Sequence, residues 1–466
     1  MERRNPADLR EIASIMPLST RPEACEAIAA AKAAFPAWRD TPAPLRGKIL
    51  AQAAALMDKQ KDALARTLCR EEGKAVKESL AEVQRSIHIL EFTAGEGRRM
   101  GGQTIPSECA KNVAYTIKQP LGVVGAITPW NFPIAIPVWK IAPALVAGNT
   151  MVLKPAELTP ECAATIVQIF QGVGLPPGVL NMVLGAGEEV GDELVQSPDV
   201  RAISFTGSNE VGSHIYAFAA RGMKKCQCKM GGKNPVVVLR DADLALATES
   251  VVLGAFGSSG QRCTATSRVV VENAIADEFV SRLVARAREL KVGNGLEPDT
   301  DVGPLVDEQQ FRTVLRYLEI GKKEAELLLG GNRLPGPAYE HGYFVAPTIF
   351  DHVKWDSVVA QEEIFGPVLS VIRVVDFEEA LRVANSVKYG LSSSIFTNDA
   401  RRIFDFIDRI EAGITHVNAP TTMSEAQMPF GGMKATGAGL REMGRVAIDF
   451  YTELKAVYID YTSRPS

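Results

Sequence analysis

The feature that most constrains the fold is a rhythm of short apolar runs and helical stretches that begins at residue 121. Five segments read as buried strands, namely LGVVGAIT, TMVLKP, VLNMVLG, RAISFTG and KCQCKM, with helical stretches at about 160–172, 187–196 and 208–220 between them. Short Val/Ile/Leu runs that alternate with helices indicate a parallel sheet covered on both faces. The sequence therefore predicts an α/β fold built on such a sheet.

Other patterns flank this region. Residues 21 to 100 have helical periodicity, and a second α/β stretch begins near Gly231, with strands at SRVVVE, PVLSVIRV, SSSIFT and GITHVN and helices at about 276–290, 307–324, 377–385 and 400–410. The tail FYTELKAVYIDY alternates like an exposed strand. With residues 112–119 it could build a small sheet that reaches toward a partner subunit. At 466 residues, two or three domains are expected.

Composition excludes several classes of function. A net charge of −4 offers no basic surface for nucleic acid. No segment reads as a secretory signal, and the apolar stretch 134–153 reads as a helix leading into a strand rather than a membrane span. The seven cysteines form no CxxC pair and the five histidines do not fall at ligand spacings, which argues against a metal site and for a reducing cytoplasm.

Ligands of parallel sheets bind outside the carboxyl ends of the strands, so the residues just after the strands are candidate binding residues. No GxGxxG follows any strand, and a dinucleotide would have to be held in another way. The candidates at these positions are Thr128, Trp130, Lys154, Glu157, Gly187, Gly207 and Ser208. A phosphate could meet the helix that starts after Ser208, although a Gly-Ser helix start also serves simply as a cap.

Cys263, in GQRCTA, is a candidate nucleophile. It follows the turn FGSSG and precedes a segment expected to start a helix, whose free N–H groups would favour the thiolate. A cysteine can form a hemithioacetal with an aldehyde, and a thioester once hydride has left. The alternative is a buried structural cysteine.

Asn131, in PWNFP, is a candidate for stabilising an oxyanion. Two prolines stiffen the turn, and the amide can present an N–H to developing negative charge. The alternative is that Asn131 caps the following helix.

Together these motifs resemble the aldehyde dehydrogenase superfamily over nearly the whole chain. PWNFP, KPAE, FTGS, GGKNP, GQRCTA, EEIFGPV, PFGGMKATG and the REMG…FYTELKAVYIDY tail occur in that family's order and spacing. The motif GQRCTATSR is similar to the subgroup that oxidises 2-oxoglutarate semialdehyde and related acidic aldehydes. The resemblance implies NAD(P)-dependent oxidation of an aldehyde to the acid through a thioester.

The resemblance also implies roles for individual residues. Cys263 aligns with the nucleophile, and Asn131 with the backbone N–H of Cys263 aligns with the oxyanion hole. The resemblance implies that Lys154 and Glu157 bind the adenosine ribose, that Glu363 and Phe365 contact the nicotinamide ribose, and that Ser208 contacts the pyrophosphate. It also implies that Trp130 and Thr128 line the cofactor cleft and that Lys140 and Glu442 take part in a proton relay.

The family's architecture is a Rossmann-like cofactor domain, a second α/β catalytic domain and a small β oligomerisation sheet. Mapped onto this chain, residues 1–101 and 121–230 would form the cofactor domain and residues 231–443 the catalytic domain. Residues 102–120 and 444–466 would form the oligomerisation segments of a homodimer or homotetramer.

The chain departs from the family at one position. Lys229 in QCKMGGKNP stands where the family has the glutamate that activates the deacylating water. At its ordinary pKa near 10.4 a lysine is a cation and accepts no proton at neutral pH. Three outcomes stay open: a desolvated Lys229 beside Lys140 acts as base, Glu442 or Glu363 takes over, or the acyl-enzyme accumulates. Two alternative functions remain. The protein could transfer the acyl group to coenzyme A, or it could be a catalytically impaired homologue that binds NAD.

Substrate and cofactor choice rest on three side chains. Arg262 could grip a carboxylate bidentately, or it could pair with a structural acid. Glu157 should repel a 2′-phosphate and so favour NAD, although Lys154 nearby could still tolerate NADP. Trp139 and Phe256 could line the site with aromatic rings, so a bulky aryl aldehyde is an alternative substrate.

Overall fold

The computed structural model describes residues 1–462. Within them the helices are, in chain order, α1 (Arg21–Asp40), α2 (Ala43–Lys59), α3 (Lys61–Glu72), α4 (Val76–Glu96), α5 (Ala135–Ala147), α6 (Pro160–Gly172), α7 (Asp192–Gln196), α8 (Asn209–Arg221), α9 (Leu244–Phe256), α10 (Asn273–Arg288), α11 (Glu308–Glu324), α12 (Val358–Gln361), α13 (Phe377–Asn385), α14 (Ala400–Arg409) and α15 (Val446–Phe450). A π-helical turn over Gly187–Gly191 leads into α7, and a 3₁₀ turn over Gly257–Gly260 follows α9.

The strands of the same residues are β1 (Glu2–Asn5), β2 (Asp8–Ile15), β3 (Thr104–Ile105), β4 (Asn112–Pro120), β5 (Val123–Ile127), β6 (Thr150–Lys154), β7 (Leu180–Met182), β8 (Val200–Thr206), β9 (Lys225–Lys229), β10 (Asn234–Val238), β11 (Thr266–Glu272), β12 (Glu326–Leu329), β13 (Thr348–Asp351), β14 (Val368–Val374), β15 (Tyr389–Gly390), β16 (Ser392–Phe396), β17 (Ile414–Val417), β18 (Met433–Lys434), β19 (Gly437–Ala438) and β20 (Thr452–Asp460).

The first large sheet has the order β19-β9-β8-β5-β6-β7. Strands β5 to β9 are parallel, and β19 pairs antiparallel with β9. Apolar side chains of α2 to α6 cover one face, and those of α1, α7 and α8 cover the other. The predicted parallel sheet with helices on both faces is therefore confirmed. Because β19 lies far along the chain, this sheet also draws on residues beyond 230.

The second large sheet has the order β12-β13-β14-β11-β10-β16-β17. Its strands are parallel except for β12 at one edge, and apolar clusters cover both faces. β10 lies between β11 and β16 and was not predicted from the sequence. Pro235 falls near its start, where the pairing register with β11 shifts, and a proline argues against a central strand.

A third sheet, β20-β4-β3, joins two segments that are far apart in sequence. Strand β20 pairs antiparallel with β4 along its full length, from Thr452↔Pro120 to Asp460↔Asn112. This confirms the predicted small sheet. The last four residues of the predicted segment 444–466 lie outside the described residues.

Within residues 1–462, no helix is long and apolar enough to cross a bilayer. The carboxyl ends of β5, β6, β8 and β9 face the same edge of the first sheet because these strands are parallel. The loops that leave them meet the loop between α9 and β11 of the second sheet, and this meeting point holds the candidate site.

Candidate active site

A cleft of about 250 Å³ opens at this edge of the first sheet. Eight predicted residues line it, namely Trp130, Asn131, Gly207, Ser208, Lys229, Cys263, Glu363 and Phe365. The structure thus gathers side chains from five separate motifs around one space. The other lining residues are Pro129, Ile136, Thr206, Met230, Gly231 and Gln310.

Cys263 lies in a turn between the 3₁₀ turn and β11, half-buried. No helix starts after it, so the expectation that helix-terminal N–H groups would act on the thiol is wrong. Only three residues, 263 to 265, precede β11, too few for a helical turn with free N–H groups. Two cationic side chains, Lys229 and Arg85, lie near the thiol instead and are described below.

The backbone before Cys263 is strained. Ser258 and Ser259 both have left-handed backbone angles, with φ of 49° and 55°, which are costly for residues other than glycine. Gly260 has φ of 68°, and a Cβ there would come within 2.1 Å of the Gly366 carbonyl oxygen. A glycine is therefore required at 260 for this turn to pass beside the EEIFGP loop.

Asn131 points toward the nucleophile loop rather than capping α5. Its Nδ2 donates a hydrogen bond of 2.9 Å to the carbonyl of Gln261, which leaves the second amide hydrogen for another acceptor. Asn131 is 3% exposed and lines the cleft beside Cys263. This geometry supports the predicted oxyanion role.

Glu363 and Phe365 enter the cleft from the loop before β14. The Glu363 carboxylate accepts a 2.9 Å hydrogen bond from the Gly232 N–H, and burial raises its pKa although Lys229 and Lys233 oppose the rise. A Cβ on Gly231 would come within 2.1 Å of a Glu363 oxygen, so the glycine makes room for the carboxylate. Phe365 has φ of 57° and packs edge-on against Trp130, with ring centroids 5.4 Å apart.

Gln310 was missed by the sequence analysis. Its side chain donates to the carbonyls of Ile364 and Phe365 at 3.0 and 2.9 Å. These two bonds hold the strained backbone at Phe365. Gln310 lies on the polar face of α11, and nothing in the local sequence marks it as part of a site.

The dinucleotide candidates lie at the predicted strand ends. Ser208 is the N-cap of α8, accepting a hydrogen bond from Val211 N–H at 3.3 Å, so it both caps the helix and lines the cleft. Lys154 and Glu157 form an ion pair of 2.8 Å after β6. Thr128 donates its backbone N–H to the Lys154 carbonyl, and Gly187 begins the π-helical turn. These last four residues do not line the cleft around Cys263, and they lie along the edge of the sheet beyond it.

Lys229 is buried at the end of β9, with Nζ 5.4 Å from the ring centroid of Phe430. Behind it, Lys140 donates to Ser204 Oγ at 2.9 Å and forms an ion pair with Glu442. Burial lowers the pKa of the Lys140 ammonium although Glu442 pulls it upward, and the cation of Lys229 adds to the lowering. Oε2 of Glu442 has no hydrogen-bond partner in residues 1–462.

Arg262 pairs with an acid on helix α4. Its Nη2 donates to Glu78 Oε1 at 2.7 Å and its Nε to Ser258 Oγ at 3.0 Å. Of the two interpretations of Arg262, this geometry supports the structural ion pair. Phe256, offered as a possible aromatic lining residue, lies instead in the core of the second sheet.

Arg85 on α4 is a second residue that the sequence analysis missed. Its guanidinium lies over the rings of Trp139 and Phe430, 5.6 and 5.8 Å from their centroids, and Nη2 donates to Met443 Sδ at 3.4 Å. Burial lowers its pKa to about 10, and the Cys263 thiolate is the first of the charges that raise it. Arg85 therefore stays cationic at neutral pH and lies near the nucleophile.

Comparison with known proteins identifies the family of the chain. The sequence profile of the aldehyde dehydrogenase family matches residues 1–457. The chain is 47% identical over 457 residues to alpha-ketoglutaric semialdehyde dehydrogenase of Bacillus subtilis (strain 168), covering 98% of this chain and 93% of that protein. The chain belongs to the aldehyde dehydrogenase family. It is an NAD(P)-dependent oxidoreductase that acts on the aldehyde group.

Two further similarities support the family assignment and the fold. The chain is 46% identical over 458 residues to 2,5-dioxopentanoate dehydrogenase of Saccharolobus solfataricus, covering 97% of this chain and 95% of that one. The crystal structure of betaine aldehyde dehydrogenase from Staphylococcus aureus in complex with NAD+ superposes with a TM-score of 0.97 at 33% identity, over 100% of this chain and 92% of that one. The predicted family and fold class are confirmed.

Proposed function

We propose that this aldehyde dehydrogenase oxidises a small, carboxylate-bearing aldehyde with NAD through a thioester on Cys263. The observation that carries the substrate class is Arg85. Its guanidinium has no carboxylate partner within salt-bridge distance among residues 1–462, and its Nε has no hydrogen-bond partner there. Arg262, by contrast, is already paired with Glu78.

An unpaired, partly buried cation is unfavourable unless a ligand supplies the missing charge. A carboxylate at the far end of a short aldehyde would accept charge-assisted hydrogen bonds from Arg85 while its carbonyl carbon meets Cys263. Trp139 and Phe430 limit the space around the guanidinium. This arrangement favours a short semialdehyde over a bulky aryl aldehyde.

The chemistry of the chain's own residues follows from their positions. The Cys263 thiolate attacks the aldehyde carbon, and the oxygen that gains charge is held by the Asn131 amide and the backbone N–H of Cys263. Arg85 and Lys229 place positive charge near this site. Bound NAD would supply the acceptor for the hydride that leaves the hemithioacetal carbon. Cys263 would then carry the acyl group as a thioester.

The residues present fit a dinucleotide. The amino end of α8 at Ser208 suits a pyrophosphate, since free N–H groups and the helix dipole favour an anion there. The Lys154–Glu157 pair would hold the adenosine ribose, and its carboxylate favours NAD over NADP. Glu363, whose carboxylate occupies the space that a Cβ on Gly231 would fill, would hold the nicotinamide ribose.

Deacylation is slowed or rerouted in this proposal, because Lys229 replaces the family's general base. In the described part of the chain, Glu363 is the one acid that lines the cleft. Glu442 lies behind Lys229, where Lys140 neutralises it. Proton abstraction from water therefore depends on Glu363, on Glu442 through an intervening proton carrier, or on a neutral Lys229.

The shortage of bases in the cleft also favours a second candidate function. A thioester that resists water could be transferred to a thiol such as coenzyme A, which would make the protein an acylating dehydrogenase. NADH formation that requires coenzyme A would support this alternative. Release of free acid without any thiol acceptor would exclude it.

The proposal extends to organisation. Residues 1–101 and 121–230 form the cofactor domain and residues 231–443 the catalytic domain that carries Cys263. The sheet of residues 102–120 and 444–466 joins subunits of a cytoplasmic homodimer or homotetramer. Two exposed apolar side chains of β20, Leu454 and Tyr458, support the proposal that this sheet joins subunits.

The substrate class is tested by replacing Arg85 with leucine. NADH formation is measured with succinic or 2-oxoglutaric semialdehyde and with uncharged aldehydes of the same length. Arg85→Leu should raise KM for the acidic aldehydes about 10- to 100-fold, as expected when a hydrogen bond between charged groups is lost, and change KM for the neutral ones little. Arg382→Leu, which removes an exposed guanidinium over the Trp355 ring, is the matched control. Equal effects on both classes would refute the carboxylate site.

A further inference from the structure

Helix α4 carries two carboxylates, Glu78 and Glu82, one helical turn apart on its inner face. Glu78 is 13% exposed in its side chain and Glu82 is 2% exposed. Each accepts hydrogen bonds from backbone N–H groups of a different loop that borders the cleft. Residues four apart on a helix project from the same face, so one rigid element holds both loops.

Glu78 holds the loop of the nucleophile. Both of its oxygens accept from the Ser258 N–H, at 2.8 and 2.9 Å, and Oε1 also accepts from Arg262. Ser258 is the first of the two left-handed serines, so Glu78 contacts the strained point of the turn. Strained backbone persists only where its surroundings hold it.

Glu82 holds the loop of the oxyanion donor. Its Oε1 accepts from the N–H groups of Ile134 and Ala135 at the start of α5, at 2.9 and 3.1 Å. Its Oε2 accepts from Lys74, whose Nζ also donates to the Asn131 carbonyl at 2.6 Å. Burial lowers the pKa of Lys74, but the carboxylates of Glu72 and Glu82 outweigh this effect and the pKa is raised. Lys74, which holds the Asn131 carbonyl, therefore keeps its charge.

The two loops meet where the Asn131 amide donates to the Gln261 carbonyl, two residues before Cys263. We propose that Glu78 and Glu82 are positioning residues that set the distance between the nucleophile and its oxyanion hole, Glu78 through the Cys263 loop and Glu82 through Asn131. The inference rests on the proposed thioester chemistry. A displacement of about 1 Å between reacting groups can lower a rate about 100-fold, so this support matters for turnover as well as for folding.

The structural half of the inference is tested by amide hydrogen exchange on the full-length protein. Glu78→Gln should speed exchange in the peptide covering residues 257–263 and leave residues 131–135 unchanged, because it replaces one of the two oxygens that accept from the Ser258 N–H with an NH2 donor and removes the charge. Glu82→Gln should do the reverse. Glu91→Gln, on the exposed face of the same helix, is the control and should change neither peptide. Equal loosening of both peptides in both variants would contradict separate roles.

The functional half is tested by the rate of the first NADH turnover in a double-mutant cycle with Asn131→Ala. Glu82→Gln alone should slow that turnover about 10- to 100-fold, less than the roughly 100- to 1,000-fold lost when an oxyanion donor is removed outright, because Asn131 is displaced and not deleted. In the Asn131→Ala background it should slow it less than about threefold, because coupled residues do not add. Glu78→Gln should keep its full effect in that background.

A Glu82→Gln effect of the same size in both backgrounds would overturn the inference, since a general structural defect would produce that result. Should Glu82→Gln fail to fold, Lys74→Met tests the same connection between Glu82 and Asn131. It removes the hydrogen bond from Lys74 to the Asn131 carbonyl and keeps the bonds between Glu82 and α5. A wild-type protein that forms no NADH from any aldehyde would refute the proposed function instead. The exchange measurements would still decide whether α4 orders the two loops separately.

Discussion

Three basic side chains lie near Cys263, namely Arg85, Arg262 and Lys229. Within residues 1–462, Arg262 is the one of these that forms an ion pair with a carboxylate. Cations can stabilise the negative charge that develops on the aldehyde oxygen when Cys263 attacks. They do not help the later step, in which water must lose a proton. The residues around the nucleophile therefore suit acylation better than deacylation.

Replacing Lys229 by glutamate tests this imbalance. Lys229→Glu places a carboxylate beside the thioester and should raise steady-state turnover by up to about 100-fold, the lower end of what general-base help contributes. The first turnover should rise much less, because it precedes hydrolysis. Both rates are measured by stopped-flow absorbance of NADH.

The control is Lys229→Met, which removes the cation without adding a base. It should not raise steady-state turnover. If methionine raises turnover as much as glutamate, the effect comes from lost charge or altered packing. If glutamate raises neither rate, hydrolysis is not the slow step.

The sequence identified the residues that carry motifs and missed those that act through the fold. Cys263 and Asn131 stand in short patterns with recognisable chemistry, and both line the cleft. Arg85 and Gln310 lie on amphipathic helices where a polar residue reads as solvent-exposed. Their closeness to the cleft arises from helix packing, which periodicity does not encode.

At the scale of elements, segments with a regular apolar pattern were predicted correctly, and segments that depart from such a pattern were missed. The predicted helix at residues 377–385 matches α13, and the predicted strand SRVVVE lies within one residue of β11. β10 was missed because of Pro235, and β12 and β13 lay in a region with no clear alternation. The turn at Cys263 was misread as a helix start because the preceding Gly-Ser run resembles a cap.

A buried arginine joins two of these elements. Arg268 on β11 is fully buried and donates to the carbonyls of Val383 and Ala384 at the end of α13 and of Lys233 before β10. Burial lowers its pKa to about 9, so it stays charged at neutral pH. Arg268→Met should lower the free energy of unfolding by about 2–4 kcal/mol, because the buried carbonyls of Lys233 and Ala384 lose this donor, while the Val383 carbonyl keeps its bonds from Ser386. Urea denaturation followed by circular dichroism measures this loss.

Arg282→Met is the matched control for this element. Arg282 forms an exposed i,i+4 pair with Glu278 on α10, and such pairs contribute less than about 1 kcal/mol. Similar losses for both variants would mean that Arg268 contributes only as surface charge does.

At the scale of the whole molecule, the site exists because two sheets present loops to one another. The first sheet supplies Asn131, Ser208 and Lys229, and the second supplies Cys263 and Glu363 through the loops before β11 and β14. The sequence predicted both α/β units and the small sheet. It could not predict how their loops meet, because those contacts join residues far apart in the chain.

Cofactor binding should stabilise the molecule as a whole. NAD at 100 times its dissociation constant should add about 2.7 kcal/mol to the free energy of unfolding. NADP at the same concentration should add less, because Glu157 disfavours a 2′-phosphate. Thermal unfolding with each cofactor measures the difference, and Cys263→Ala should keep it. A larger shift with NADP would reverse the predicted preference.

The central claim is that Cys263 becomes covalently acylated. The most direct measurement is intact-protein mass spectrometry after mixing with NAD and an acidic semialdehyde, with peptide mapping of the adduct. We predict an added mass equal to the acyl group, located on Cys263, formed together with one equivalent of NADH and absent in Cys263→Ala. NADH release that continues unchanged in Cys263→Ala, with no adduct at residue 263 of the wild type, would contradict the account.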